Sequence, residues 1–484
     1  MQLNLLSLQG DLVNYQRQRA VIEEVFSRDL LVKTTLGPLF WVLDIDVALA
    51  EGRLDAALDF VRLGLDSGYA AGNPHLRGMY RQYQAFLLAL SARRPEALAA
   101  VDEALALRDE AGGRLFTAIN RMILGATCAR IGEPERAERL LEESIRLCTD
   151  LDEHFTRIGA LAFRGLLRFS QGRVDEAADD IRGAMVGLRN NRLRHFYLAT
   201  PTLLQEFLAA AGYLGIEVET ARAIAARQLD LSLLDKGRTL PRLRIRTLGP
   251  LVMSLDTRME LREGVWSPTQ RAFWALLLAT KELSLPQERM QLGLWPESPA
   301  DKSRASFDTL LSRVRRVLDA ACHPLSAKNY LELKRGVLAL DNCHLEDGDF
   351  SEEIVGGLRL ARQGRAWQAG NCLYRGLSFW RGGYLSQVEV DDEQFLARRS
   401  ELERLYLQGV LAWGELLVAA GRDGEALDLY HEALCIDSTQ HDLVKALYAL
   451  HSRGSSPGSA RRVLEQYRKA LARAAYDPEE VDAI

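Results

Sequence analysis

The chain has 484 residues, 48% of them hydrophobic and 26% charged, with a formal net charge of −5. This length exceeds one core and points to two to four domains, with the composition of an ordinary globular protein. No apolar run approaches the roughly 18 residues that span a bilayer, residues 1–13 lack the basic start and apolar core of a secretory leader, and six dispersed cysteines (Cys128, Cys148, Cys322, Cys343, Cys372, Cys435) fit a reducing cytoplasm, not a disulfide framework.

The first half repeats itself. Gly52-Arg53-Leu54-Asp55-Ala56-Ala57 recurs as Gly132-Glu133-Pro134-Glu135-Arg136-Ala137 and as Gly172-Arg173-Val174-Asp175-Glu176-Ala177, with a weaker copy at Ala92-Arg93-Arg94-Pro95-Glu96-Ala97. The closing alanines at 57, 97, 137 and 177 keep a step of about 40 residues, the length of a helical pair. Glycine ends the first helix by taking the left-handed conformation. The alanine lets the second helix approach the first. One pair cannot bury its own apolar face, so several stack into a superhelix with a concave surface, which such arrays commonly use for binding. Residues 10–230 are similar to the tetratricopeptide-like superhelices of bacterial signal-responsive regulators. That likeness implies an effector or partner protein on the repeats; a mere spacer is the bland alternative.

Lys236-Gly237-Arg238-Thr239-Leu240-Pro241 breaks the helical pattern and reads as a linker. Beyond it the charge changes sign. Residues 241–340 carry 16 Lys+Arg and 10 Asp+Glu, a net of +6, which leaves −11 for the rest. A local positive excess attracts a phosphate backbone. Alternation over 243–248 predicts a strand, and 251–254 and 259–261 are short candidate strands. Ser267-Pro268-Thr269-Gln270 carries a capping box and a proline suited to the first helical position, so a helix is expected over 269–281. Further helices are expected over 287–294 and 301–321. Segments 330–333 and 337–340 flank Lys334-Arg335-Gly336, a hairpin with a basic tip.

Three helices and a hairpin make a winged helix. On the third helix, Phe307, Leu311, Val314 and Leu318 share one face and should enter the core. Lys302, Ala305, Thr309, Ser312, Arg313 and Arg316 point the other way, with Arg304 and Arg315 flanking. Arginine can bond guanine bidentately, while lysine and hydroxyls mostly grip phosphate. The expected DNA-binding residues are Lys302, Arg304, Thr309, Ser312, Arg313, Arg316, Lys334 and Arg335. A solvated amphipathic face is the plainer explanation for any lone helix. Asp308 is expected to pair with Arg304 one turn away, and Arg315 to tie the helix to its neighbours.

From 350 the chain reads as helical. Gly364-Arg365-Ala366-Trp367-Gln368-Ala369-Gly370 and Gly421-Arg422-Asp423-Gly424-Glu425-Ala426 look like further repeat turns. A long helix is expected from Phe395 through Val418 and a last one over 460–474, after a glycine- and serine-rich loop at 453–459. Asp391-Asp392-Glu393 reads as a solvated helix start.

Several pieces together carry a resemblance: Arg271-Ala272-Phe273-Trp274-Ala275-Leu276-Leu277, Leu294-Trp295-Pro296-Glu297, Leu311-Ser312-Arg313-Val314-Arg315-Arg316-Val317-Leu318, Tyr330-Leu331-Glu332-Leu333 and Asp347-Gly348-Asp349-Phe350. Residues 242–475 resemble the antibiotic-regulatory-protein type of bacterial activator, a response-regulator-type winged helix followed by a bacterial transcriptional activator domain. The resemblance implies an activator at promoters, whose last domain dimerises the protein or contacts RNA polymerase.

The expected fold is mainly α: a tetratricopeptide-like superhelix over 1–238, a central winged helix-turn-helix over 239–345 and a helical repeat domain over 346–484. The expected function is sequence-specific DNA binding in transcription regulation. Double-stranded DNA, RNA polymerase, a second copy and an effector or partner protein are the expected partners, in the cytoplasm and not at a membrane. The alternative is an interaction scaffold whose winged helix meets proteins, which the acidic flanks favour. No Gly-x-x-x-x-Gly-Lys-[Ser/Thr], His-Glu-x-x-His or Cys-x-x-Cys run occurs, and His431 with Cys435 makes no metal site, so no enzyme and no cofactor are expected.

Overall fold

In the computed structural model of the protein, residues 6, 10–25, 37–255, 259–436, 438–453 and 457–473 are described. The residues 1–5 and 7–9 of the leader argument, and 454–456 of the glycine- and serine-rich loop, lie outside them, as does 474 at the end of the expected last helix. The chain divides into two units, Met1–Pro241 and Arg242–Ile484.

The first unit opens with α1 (Leu12–Val25), α2 (Gly37–Ala50), α3 (Leu54–Asp66) and the single turn α4 (Gly68–Ala71). Three regular pairs follow: α5 (Pro74–Leu90) with α6 (Arg94–Ala111), α7 (Arg114–Arg130) with α8 (Pro134–Asp150), and α9 (His154–Ser170) with α10 (Val174–Asn190). First helices end at 50, 90, 130 and 170, and second helices begin four residues later. The turn residue is left-handed each time: φ is 73° at Gly52, 56° at Ala92, 79° at Gly132 and 75° at Gly172. Ala57, Ala97, Ala137 and Ala177 are fully buried where the second helix meets the first. Neighbouring pairs are also linked by charge, as in Arg94–Glu133 at 2.7 Å and Arg136–Asp102 at 2.6 Å.

The chain then runs through residues 191–200 into α11 (Pro201–Tyr213) and α12 (Val218–Leu229). This connecting segment carries no periodicity, yet most of residues 195–200 are buried. Phe196 is fully enclosed, its ring 5.6 Å from Phe163 and 5.2 Å from Phe207. Tyr197 lies 4.7 Å from Phe155. These contacts fill the side of the first helices, so one continuous core runs from Trp41 to Leu233.

The expected linker is also structured. β1 (Leu231–Leu233) pairs antiparallel with β2 (Thr239–Pro241). Gly237, at φ 70°, sits so close to α11 that a Cβ would lie 2.1 Å from the Ala209 carbonyl oxygen. Only glycine allows that approach.

The second unit begins with a four-stranded sheet in the order β5-β4-β3-β9: β3 (Leu243–Arg246), β4 (Val252–Leu255), β5 (Met259–Arg262) and β9 (Cys343–Leu345). β3 pairs antiparallel with β4 and parallel with β9. Three helices follow the first strands: α13 (Pro268–Leu278), α14 (Gln287–Leu294) and α15 (Ala300–Cys322). A three-stranded sheet, β6 (Ser284–Pro286), β8 (Val337–Leu340) and β7 (Leu331–Lys334), completes a winged helix. The remaining helices are α16 (Glu346–Arg362), α17 (Ala366–Ser378), α18 (Glu393–Ala419), α19 (Asp423–Ile436), α20 (His441–Arg453) and α21 (Pro457–Arg473). Gly364 and Gly421 are left-handed, at 71° and 73°, and Ala369 and Ala426 are fully buried, so the repeat turn of the first unit returns here. The molecule is mainly α, with helical repeats before and after a winged region in chain order. No described helix is long and apolar enough to cross a membrane.

Candidate nucleic-acid interface

The winged helix is built on a dry centre. Phe273 and Trp274 of α13 are fully buried and meet edge to face at 5.3 Å, and Trp266 closes on Trp274 at 5.6 Å. The start of α13 is fixed by the capping box: Gln270 donates its backbone N–H to the Ser267 hydroxyl, and Ser267 donates its own to the Gln270 side chain at 2.9 Å. Against this centre α15 lays Phe307, Leu311, Val314 and Leu318, all buried. An apolar stripe at this spacing fixes the helix's rotation, so the opposite residues must face water.

Two further ties hold α15 to the wing. Arg315 donates Nε and Nη2 to the Leu331 carbonyl of β7 at 3.2 and 3.0 Å. Asp319 accepts the Ala327 backbone N–H at 2.7 Å. The wing turns in two residues, Lys334 facing Val337 across the strands. Arg335 and Gly336 have φ of 52° and 78°, the doubly positive pattern that matches strand twist. Gln287, first in α14, donates its N–H to the Gly336 carbonyl at 2.8 Å, fixing the tip against α14.

All eight residues expected to bind DNA are exposed: Lys302, Arg304, Thr309, Ser312, Arg313 and Arg316 on α15, and Lys334 and Arg335 on the wing. Among the described residues none of the six cations has an ion-pair partner. Some other arginines of this unit are tied down, as Arg271 is to Glu263 and Arg375 to Glu353. The eight do not form one cluster. Arg304 and Arg335 border a groove of about 700 Å³ together with Gln291 of α14. Ser312 and Arg316 border a second, of about 510 Å³, with Asp308 and Leu333. Lys302, Thr309, Arg313 and Lys334 lie outside both, and the Thr309 hydroxyl donates to the Ala305 carbonyl at 3.0 Å.

Two expectations need correction. Arg304 and Asp308 do not pair; an acid C-terminal to a base is the weaker order on a helix. Asp392 is not solvated. It caps α18 by accepting the N–H groups of Gln394 and Phe395 at 3.0 and 3.1 Å, and it is buried against Arg289 of α14 at 2.8 Å. Arg289 and Gln291 drew no notice in the sequence; α14 alone, with one buried residue in eight positions, gave no stripe from which to orient them.

The neighbouring thiols are quiet. Burial pushes Cys322 up to about 11 and Cys343 up to about 12. Among the described residues no group of three or more His, Cys, Asp and Glu side chains could hold a metal.

Residues 348–481 match the family model of the bacterial transcriptional activator domain. The transcriptional regulatory protein EmbR of Mycobacterium bovis is 27% identical over 228 residues, covering 46% of this chain and 57% of that protein, and EmbR of Mycobacterium tuberculosis matches to the same extent. The chain thus covers just over half the length of these relatives. The structure of Mycobacterium tuberculosis EmbR in complex with a low affinity phosphopeptide is similar over 49% of this chain and 62% of that one, at 23% identity and a TM-score of 0.40. Residues 348–481 are therefore similar to a bacterial transcriptional activator domain, and the chain is similar to transcriptional regulators.

Proposed function

We propose that the protein regulates transcription by binding a specific DNA sequence through α15 and the wing, and that it acts as an activator. The observation that carries this is the set of six exposed cations without ion-pair partners on a winged helix whose apolar stripe points inward. Lys302 and Arg316 are separated by fourteen residues, about 21 Å along the helix. In this class of motif the recognition helix meets base edges with its N-terminal part. Arg304 accordingly faces bases, with the Thr309 and Ser312 hydroxyls on the backbone beside it. Arg313, Arg316 and Lys302 hold flanking phosphates, and Lys334 and Arg335 grip the adjacent backbone.

The domain assignment belongs to the same proposal: repeats over 1–238 for an effector or partner protein, the winged helix over 239–345, and the activator domain over 346–484 for RNA polymerase or a second copy. One winged helix reads few base pairs, and two half-sites raise specificity.

The test is selection of duplexes from a random pool with the full-length protein, followed by titration of the enriched sequence between 50 and 200 mM salt. Five phosphate contacts by cations give a logarithmic salt slope of roughly −4.5. A pool without enrichment, or a flat salt response, would refute the assignment.

A further inference from the structure

We propose that Asp308 determines part of the DNA sequence that is read, by accepting a hydrogen bond from the amino group of a cytosine in the major groove. The inference rests on the reading of α15 as the recognition helix and adds a base contact to it.

Of the three acids on α15, two have a structural task. Asp301 lies in the first turn, where a negative charge suits the positive end of the helix. Asp319 accepts the Ser326 hydroxyl and the Ala327 N–H at 3.3 and 2.7 Å. Asp308 has no such task. It is exposed, and among the described residues it has neither a hydrogen-bond nor an ion-pair partner. It stands in a row at four-residue spacing, Arg304, Asp308, Ser312 and Arg316, and such a row is one ridge of a helix surface. Asp308 borders the same groove as Ser312 and Arg316. An acid in this row repels the phosphates that its cationic neighbours attract, so it lowers affinity for a duplex taken at random.

The chemistry of a carboxylate narrows what it can meet there. It only accepts hydrogen bonds, so phosphate oxygens, guanine O6 and N7 and thymine O4 offer it nothing. The donors on base edges in the major groove are the amino groups of cytosine and adenine. On adenine the N7 acceptor sits beside the amino group and repels the second carboxylate oxygen. On cytosine the amino group has no acceptor beside it on that edge. Cytosine is therefore the partner. Four residues rise about 6 Å along the helix, against about 3.4 Å per base pair, so the cytosine lies roughly two base pairs from the base met by Arg304.

The test is selection of duplexes from a random pool by the full-length parent and by Asp308→Ala, followed by titration of the enriched duplex with each base pair changed in turn. The parent should lose about tenfold or more in affinity when one C·G pair is replaced. Asp308→Ala should lose less than about threefold at that pair, keep the other preferences, and bind unselected duplex more tightly than the parent. Asp308→Asn, which carries a donor as well as an acceptor, should move the preference at that pair towards adenine. Circular dichroism of both variants should match the parent, since the side chain touches no other residue of the fold. If Asp308→Ala tightens on all duplexes alike and keeps every preference of the parent, the acid is only a solvated charge and the proposal is overturned. Absence of enrichment by the parent is a different failure: it removes α15 as the recognition helix, and the base contact with it.

Discussion

Arg289 of α14 donates to the Asp392 carboxylate at 2.8 Å, and that same carboxylate caps α18. One acid thus joins the winged helix to the long helix α18. The two partners are not equivalent. Arg289 is half exposed, so its removal leaves Asp392 with two backbone donors and costs about 0.5 kcal/mol, as for a surface pair. Asp392→Ala removes cap and ion pair together and costs about 1–2 kcal/mol. Urea unfolding of both variants checks the order; equal losses would mean that the cap contributes little.

Arg313 and Arg316 are exposed, unpaired and remote from the core of α15. Arg313→Ala combined with Arg316→Ala should lower affinity for the selected duplex at least tenfold. The logarithmic salt slope should become shallower by about 2, near 0.9 for each lost phosphate contact. Helical content by circular dichroism should not change. Parent-like affinity would show that this part of α15 does not meet DNA.

The wing tip should trade stability against binding. Arg335 holds a left-handed conformation that costs a non-glycine residue about 1 kcal/mol or more. Arg335→Gly releases that strain and should raise the unfolding free energy by about 0.5–1 kcal/mol, after allowing for the greater freedom of glycine in the unfolded chain. Duplex affinity should fall. A variant more stable and equally tight would mean that the side chain serves no purpose at the tip.

The same physics gives a control far from any DNA. Ala92 takes the turn position that glycine fills at 52, 132 and 172, and it is exposed. Ala92→Gly should therefore stabilise the repeats by about 0.5–1 kcal/mol. Thermal or urea unfolding decides it; a loss of stability would contradict the strain assigned to this turn.

Asp46 gives the first unit a pH dependence. Desolvation pushes its carboxyl up to about 7, although Tyr83 donates to it at 2.9 Å. An acid raised on folding binds more protons in the native state, so stability falls as pH rises. The loss starts near the ordinary aspartate range and is complete just above 7. Asp46 keeps part of its surface in solvent, which moderates the size. Asp46→Asn should flatten stability over that window, as measured by urea unfolding at pH 5 and pH 8. An unchanged pH profile would remove Asp46 as the cause.

The parts visible in the sequence were those set by near neighbours. The step of about 40 between Ala57 and its successors marks each helical pair, Ser267 and Gln270 mark the start of α13, and the Phe307 stripe orients α15. The parts that escaped depend on residues far apart. β9 becomes a strand only by lying parallel to β3, with Leu243 opposite Cys343 a hundred positions later. β6 has three residues, one of them proline, and exists through its register with β8. Phe196 and Tyr197 sit in a segment without helical or strand spacing, and tertiary packing alone buries them. Asp392 looked solvated because its partner Arg289 comes from another domain-sized stretch of chain.

Phe196 and Tyr197 leave the repeat unit with an interior of its own making. The outer face of α8 presents acidic and basic side chains instead, such as Arg139, Glu142 and Arg146. Recognition there would run on charge pattern, answer quickly to ionic strength, and need no aromatic anchor from the visitor.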